Sequence, residues 1–104
     1  MLNITKSNFE KEVIFSGIPV VLDFWATWCG HCKMLSPVLD GLAAEYSDRV
    51  RFCKVNVDDE PELFARFGIA SVPTLIFLKN GEILKKTVGY REKDELEGML
   101  KELL

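Results

Sequence analysis

The sequence predicts an α/β domain in which one central, mixed five-stranded sheet is flanked by four helices, in the order βαβαβαββα. Three observations carry that expectation. Apolar residues switch between strand and helix periods along the first two thirds of the chain, an Asn-Gly pair joins two later strand patterns, and the chain closes on an amphipathic segment. The alternation implies right-handed crossovers between parallel strands, and the hairpin adds an antiparallel pair. At 104 residues a single domain spanning 1–104 is expected, because domains cluster at roughly 100 to 150 residues. With 48% hydrophobic residues, among them seven Phe and two Trp, the chain can fill a core without disulfide staples.

Leu2 to Ile4 is a short strand candidate. Ser7, with Glu10 three residues later, has the spacing of a capping box and opens a short helix through Ile14, which Gly17-Ile18-Pro19 ends. Val20 to Trp25 is an apolar run broken only by Asp23, which suits a mid-sheet strand buried on both faces. From Cys32 to Tyr46, Met34, Leu35, Val38, Leu39, Leu42, Ala43 and Tyr46 recur along one face of a helix. Pro37 lies inside that helix and removes one backbone donor. Val50 to Val57 reads as the next strand. Asp58-Asp59-Glu60-Pro61 then starts a short helix that stops at Gly68. Thr74–Lys79 and Glu82–Val88 form a hairpin through Asn80-Gly81, the favoured type I′ pair. Leu96, Met99, Leu100 and Leu103 mark the last helix.

Thirteen basic and sixteen acidic side chains give a net charge of −3. With a pI near 5.1 and no basic run beyond Lys85-Lys86, there is no electrostatic footprint for nucleic acid or an anionic membrane. No apolar run approaches the ~20 residues of a membrane span. Met1-Leu2-Asn3-Ile4-Thr5 has neither the basic start nor the apolar stretch of a signal peptide, so a cytoplasmic protein is expected. Three cysteines, an odd number, do not make a secreted disulfide framework.

Chemistry is concentrated in Trp28-Cys29-Gly30-His31-Cys32, between the buried strand and the long helix. Residues at i and i+3 on a helix have Cβ atoms ~5 to 6 Å apart, within reach of a reversible disulfide. Free N–H groups and the positive end of the helix dipole favour a thiolate at Cys29. A thiol near pKa 8.5 is only ~3% ionised at pH 7, whereas one lowered to about 7 is half ionised. Cys29 is therefore the expected nucleophile and Cys32 the resolving thiol. Inert packing is one competing reading, and a zinc site is the other. It would need Cys29, His31, Cys32 and the distant Cys53 to converge, with His31 and Cys32 on different helix faces. Cys53 shares a strand face with Val55 and Val57 and is assigned to the core.

The chain resembles the thioredoxin family over essentially its whole length. The matching stretches are Val21-Leu22-Asp23-Phe24-Trp25-Ala26-Thr27-Trp28-Cys29-Gly30-His31-Cys32-Lys33, Lys54-Val55-Asn56-Val57-Asp58, Val72-Pro73-Thr74 and Lys79-Asn80-Gly81. The resemblance implies a thioredoxin fold and a dithiol that reduces protein disulfides without a bound cofactor or metal. Cys29 attacks, Cys32 releases the mixed disulfide, and a thioredoxin reductase restores the dithiol. The partners implied are that reductase and disulfide-containing proteins, and a monomer is expected.

Asp23 resembles the family's buried acid behind the disulfide. A carboxylate between Leu22 and Phe24 in a central strand is costly unless neutralised or paired, and burial raises its pKa toward that of a proton acceptor for Cys32. The alternative is a strand-end carboxylate bonded to backbone. Lys54 resembles the partner of that acid, and from the residues alone an exposed strand lysine. For Pro73 the resemblance implies a cis bond that presents the Val72 backbone to an extended substrate segment; a trans bond is the base-rate alternative. Trp28, Gly30, Val72 and Gly89 are the expected docking face.

One residue departs from the family pattern. Thioredoxins usually carry proline where this chain has His31, and Cys-Gly-His-Cys resembles protein disulfide isomerase. General potentials of the two families, about −270 mV and about −180 mV, differ by ~90 mV, or ~4 kcal/mol for two electrons. An imidazolium beside Cys29 stabilises the thiolate and hence the reduced form, which pushes the protein toward oxidant or isomerase behaviour. The expected function is a protein-disulfide reductase with an unusually oxidising site. The alternatives are an isomerase-like or oxidase-like oxidoreductase, or a docking subunit that does not use its cysteines.

Overall fold

The computed structural model describes residues 1–104. Five strands form one sheet: β1 (Leu2–Asn3), β2 (Val20–Trp25), β3 (Arg51–Asn56), β4 (Thr74–Lys79) and β5 (Glu82–Val88). Three α-helices accompany them, α1 (Gly30–Glu45), α2 (Pro61–Arg66) and α3 (Lys93–Leu103), together with a π-helical turn at Glu10–Ile14. The spatial order is β1-β3-β2-β4-β5, which places the apolar run of β2 mid-sheet. β1 and β2 both pair in parallel with β3, whereas β4 is antiparallel to both β2 and β5.

Alternation along the strands divides the core into two layers. Val21, Phe52, Leu75 and Phe77 face Leu35, Leu39 and Leu42 of α1 and Leu96, Leu100 and Leu103 of α3. The other face carries Val20, Leu22, Phe24, Cys53, Val55, Ile76 and Leu78, packed with Phe9, Val13 and Leu63. Phe24 meets Phe64 and Phe67 at ring-centroid distances of 5.2 and 5.3 Å, within the range of favourable aromatic pairs. Each fully buried Leu, Val or Phe in these layers stabilises the fold by roughly 1.5–3 kcal/mol relative to exposure.

The hairpin forms as its turn residues require. Asn80 and Gly81 have φ of 54° and 76°, the left-handed pair of a type I′ turn. A side chain at Gly81 would also approach the Ile14 carbonyl oxygen at 3.3 Å, so the turn packs directly on the end of the π-helical turn.

The first helix corrects the sequence expectation. Ser7 does not cap it, and no side chain caps the π-helical turn. Instead Asn8 Oδ1 accepts the Thr5 N–H at 2.8 Å, and the Thr5 and Ser7 hydroxyls bond each other at 2.8 Å. The Asn8 and Phe9 N–H groups donate to the Thr5 carbonyl at 3.3 and 3.0 Å, so the first turn opens at Thr5, two residues before Ser7, and the Asn8 side chain reaching back to the Thr5 N–H is one half of a capping box. The Phe15 N–H donates to the Glu10 carbonyl at 2.9 Å, the i→i+5 bond of a π-helix. No helix is long and apolar enough to cross a membrane.

Candidate active site

The carboxyl end of β2 and the amino end of α1 meet at Cys29. Cys29 is the N-cap of α1, in extended conformation with φ −95° and ψ 113°, and its Sγ accepts the Cys32 N–H at 3.2 Å. A sulfur thus occupies the place of a capping oxygen, where unpaired N–H groups and the helix dipole stabilise negative charge. No acidic residue in the first turn opposes that effect. Cys29 and Cys32 form a closed disulfide with Cα atoms 5.3 Å apart, within the usual range. Cys29 Sγ also lies 3.7 Å from the Val72 carbonyl oxygen.

Behind the disulfide, Asp23 and Cys32 line one cavity of about 120 Å³, together with Trp25, Lys33 and Lys54. Asp23 sits in the middle of β2, is 4% exposed, and its Oδ1 is buried without a hydrogen-bond partner. It is therefore not a strand-end carboxylate held by backbone. Burial pushes its pKa from the ordinary 3.8 up to about 7, against the lowering field of Lys54 and with a smaller push from Asp40. Lys54 is the register partner of Asp23 on β3. Its ammonium nevertheless rests over the Trp25 ring, 5.3 Å from the centroid, and forms no ion pair with the carboxylate.

In front of the disulfide, the Val72–Pro73 peptide bond is cis and Pro73 is buried. The Val72 N–H and C=O make no backbone hydrogen bond. The Gly89 N–H donates to the Pro73 carbonyl at 2.8 Å, so Gly89, with φ +89°, adjoins the same loop. Trp28 is 68% exposed and walls an apolar groove with Val57, Phe64, Ile69, Ala70 and Val72. Gly30 and His31 are exposed in the first turn of α1. Cys53 is fully buried in the second core layer. Burial pushes its thiol up to about 12, and no group of three or more His, Cys, Asp or Glu is placed to hold a metal ion.

Sequence reasoning missed Trp25 and the groove residues Phe64, Ile69 and Ala70. The signal for Trp25 is its i+2 spacing from Asp23, which puts both side chains on one face of β2. The groove residues come from α2 and its following turn and have no shared sequence period.

What the arrangement can do is two-electron thiol–disulfide exchange, with a buried carboxyl lining the cavity behind Cys32. The sequence profile of the Thioredoxin family matches residues 1–102. A thioredoxin of Haemophilus influenzae is 46% identical over 100 residues, covering 96% of this chain and 94% of that protein. One from Alicyclobacillus acidocaldarius is 44% identical over 103 residues, covering 99% and 97%. One from Porphyra purpurea is 44% identical over 97 residues, covering 93% and 91%. A likeness that runs through every strand and through both cysteines leaves one conclusion: the chain belongs to the thioredoxin family of protein-disulfide oxidoreductases.

Proposed function

We propose that the protein reduces disulfides of other proteins, with Cys29 as nucleophile, Cys32 as resolving thiol and Asp23 as proton acceptor. The observation that carries this reading is the Cys29–Cys32 pair at the head of α1, with Cys29 beside the Val72 carbonyl in front and Cys32 lining one cavity with Asp23 behind. An extended substrate segment adds its backbone to Val72 as a short strand. Trp28 and its groove take neighbouring side chains, and Gly89 flanks the loop.

The Cys29 thiolate attacks one substrate sulfur, the substrate S–S bond breaks, and its other sulfur leaves as a thiolate that takes a proton. Asp23 then accepts the Cys32 proton. The new Cys32 thiolate attacks Cys29 Sγ, releasing the second substrate sulfur and closing the Cys29–Cys32 disulfide. Two electrons pass to the substrate. A thioredoxin reductase returns them, which completes the cycle. Trapping distinguishes the roles of the cysteines. Cys32→Ser, mixed with a disulfide-containing protein, accumulates a mixed disulfide at Cys29 that mass spectrometry detects, while Cys29→Ser accumulates none. Equal trapping by both variants refutes the assignment. A docking subunit that does not use its cysteines would keep its cellular function in both variants.

His31 stands between the two cysteines where the family usually carries proline, and an imidazolium at that place would favour the reduced form. The potential is then more oxidising than the family's general value near −270 mV, in the direction of about −180 mV. Equilibration with glutathione measures it, and His31→Pro is expected to make the site more reducing. An unchanged potential in that variant removes His31 from the argument.

A further inference from the structure

The cavity behind the disulfide holds a cation in an unexpected place. Asp23 and Lys54 face each other across adjacent parallel strands, and their side chains leave the sheet on the same side. An ammonium beside a buried carboxylate ordinarily bonds to it. Here Asp23 Oδ1 has no partner, and the Lys54 Nζ lies 5.3 Å from the centre of the Trp25 ring. That distance is inside the roughly 6 Å over which a ring face attracts a cation. Trp25 lies two residues beyond Asp23 on the same face of β2, diagonal to Lys54 across the strand pair. Its own indole N–H is buried without a partner, so no hydrogen bond to that N–H dictates where the ring sits.

We infer that Trp25 is a positioning residue: by holding the Lys54 ammonium over its ring, it keeps that cation from pairing with Asp23, which stays free to accept the Cys32 proton. This rests on the reading of Asp23 given above. A paired carboxylate is held in its charged form and becomes a weaker base, because an opposite charge within ~4 to 6 Å lowers a carboxyl pKa by ~1 to 3 units. The remaining groups around Asp23 are few. From α1, Lys33 and Cys32 line the cavity, Met1 with its α-amino group lines it from ahead of β1, and Asp40 acts with a sign opposite to Lys54. The facing residue on β4 is the uncharged Leu75.

A double-mutant cycle read by carbon NMR of the Asp23 carboxyl in the oxidised protein tests the inference. Trp25→Leu is expected to lower the Asp23 titration midpoint by about one unit, a tenfold loss of proton affinity, while Trp25→Phe, which keeps a ring face, restores most of it. In a Lys54→Met background Trp25→Leu is expected to leave the midpoint where Lys54→Met alone puts it. An equal shift with and without Lys54, or none in either background, overturns the inference, since both would make Trp25 a packing residue only. If Trp25→Leu does not fold, the unmutated protein still decides. Protons of the Lys54 ε-methylene should be displaced upfield by the indole ring current, and ordinary lysine shifts overturn the inference. Asp23→Asn, assayed for mixed-disulfide resolution, separately tests the role of the acid. An unchanged resolution rate there refutes the proton-acceptor reading while leaving the titration cycle to judge Trp25.

Discussion

Asp23 ties the chemistry of the site to the stability of the fold, and replacing it with Asn makes the link measurable. The native carboxyl is raised to about 7 from an ordinary value of 3.8, a difference of about three units. At about 1.4 kcal/mol per unit this is a cost of about 4 kcal/mol at its full extent. Below pH 4 both native and unfolded chains hold the proton, so Asp23 costs nothing extra. Between pH 4 and 7 the unfolded chain releases the proton and the native protein keeps it, so stability falls as pH rises. Above pH 7 both are ionised and the full cost is present. Asn cannot ionise, and any cost of its own amide is independent of pH. In guanidinium unfolding of the two oxidised proteins, the advantage of Asp23→Asn is therefore expected to be larger at pH 8 than at pH 5 by about 2–3 kcal/mol. Other titrating groups are shared by both proteins and cancel in the comparison. The same advantage at both pH values would refute the reasoning, because an acid that ionises equally in both states has no buried cost.

Three further outcomes are expected. Thr87 is buried with its hydroxyl unpartnered, so Thr87→Val should leave stability unchanged or raise it by about 1 kcal/mol in thermal unfolding; a comparable loss would mean the hydroxyl is satisfied. Gly81→Ala places a side chain at φ 76° and 3.3 Å from the Ile14 carbonyl oxygen, and should cost about 1–2 kcal/mol in a urea titration. No loss there would show that the turn relaxes freely. Cys53, fully buried with its thiol pushed up to about 12, should resist iodoacetamide at pH 8 in the reduced, folded protein. Mass spectrometry should then find Cys53 unmodified while Cys29 is alkylated, and alkylation of Cys53 in the native state would contradict its burial.

The fold was legible because its signals are local. The mid-sheet position of β2 follows from an apolar run that only a strand covered on both faces can bury. The hairpin follows from two residues that tolerate positive φ. The start of the first helix was misread because Ser7 and Glu10 have capping-box spacing, while Thr5 and Asn8 have the same spacing and make the bond, Asn8 reaching back to the Thr5 N–H. Such a competition between neighbouring polar side chains is decided by geometry that spacing does not encode. The antiparallel setting of β4 against β2 was likewise not readable from the order of elements.

The sequence by itself determined the redox pair, since two cysteines three residues apart at a helix start are brought together by helix geometry alone. It also singled out Asp23, because a carboxylate amid apolar strand residues must be unusual wherever the strand is buried. Only the tertiary structure decided what surrounds that acid. Whether Lys54 bonds to Asp23 or rests on Trp25 depends on which side chains two neighbouring strands aim into one cavity. The groove beside Trp28 depends in the same way on α2 folding back against β3 and the Val72 loop. These are contacts between residues far apart along the chain, set by strand register and packing, and no local pattern contains them.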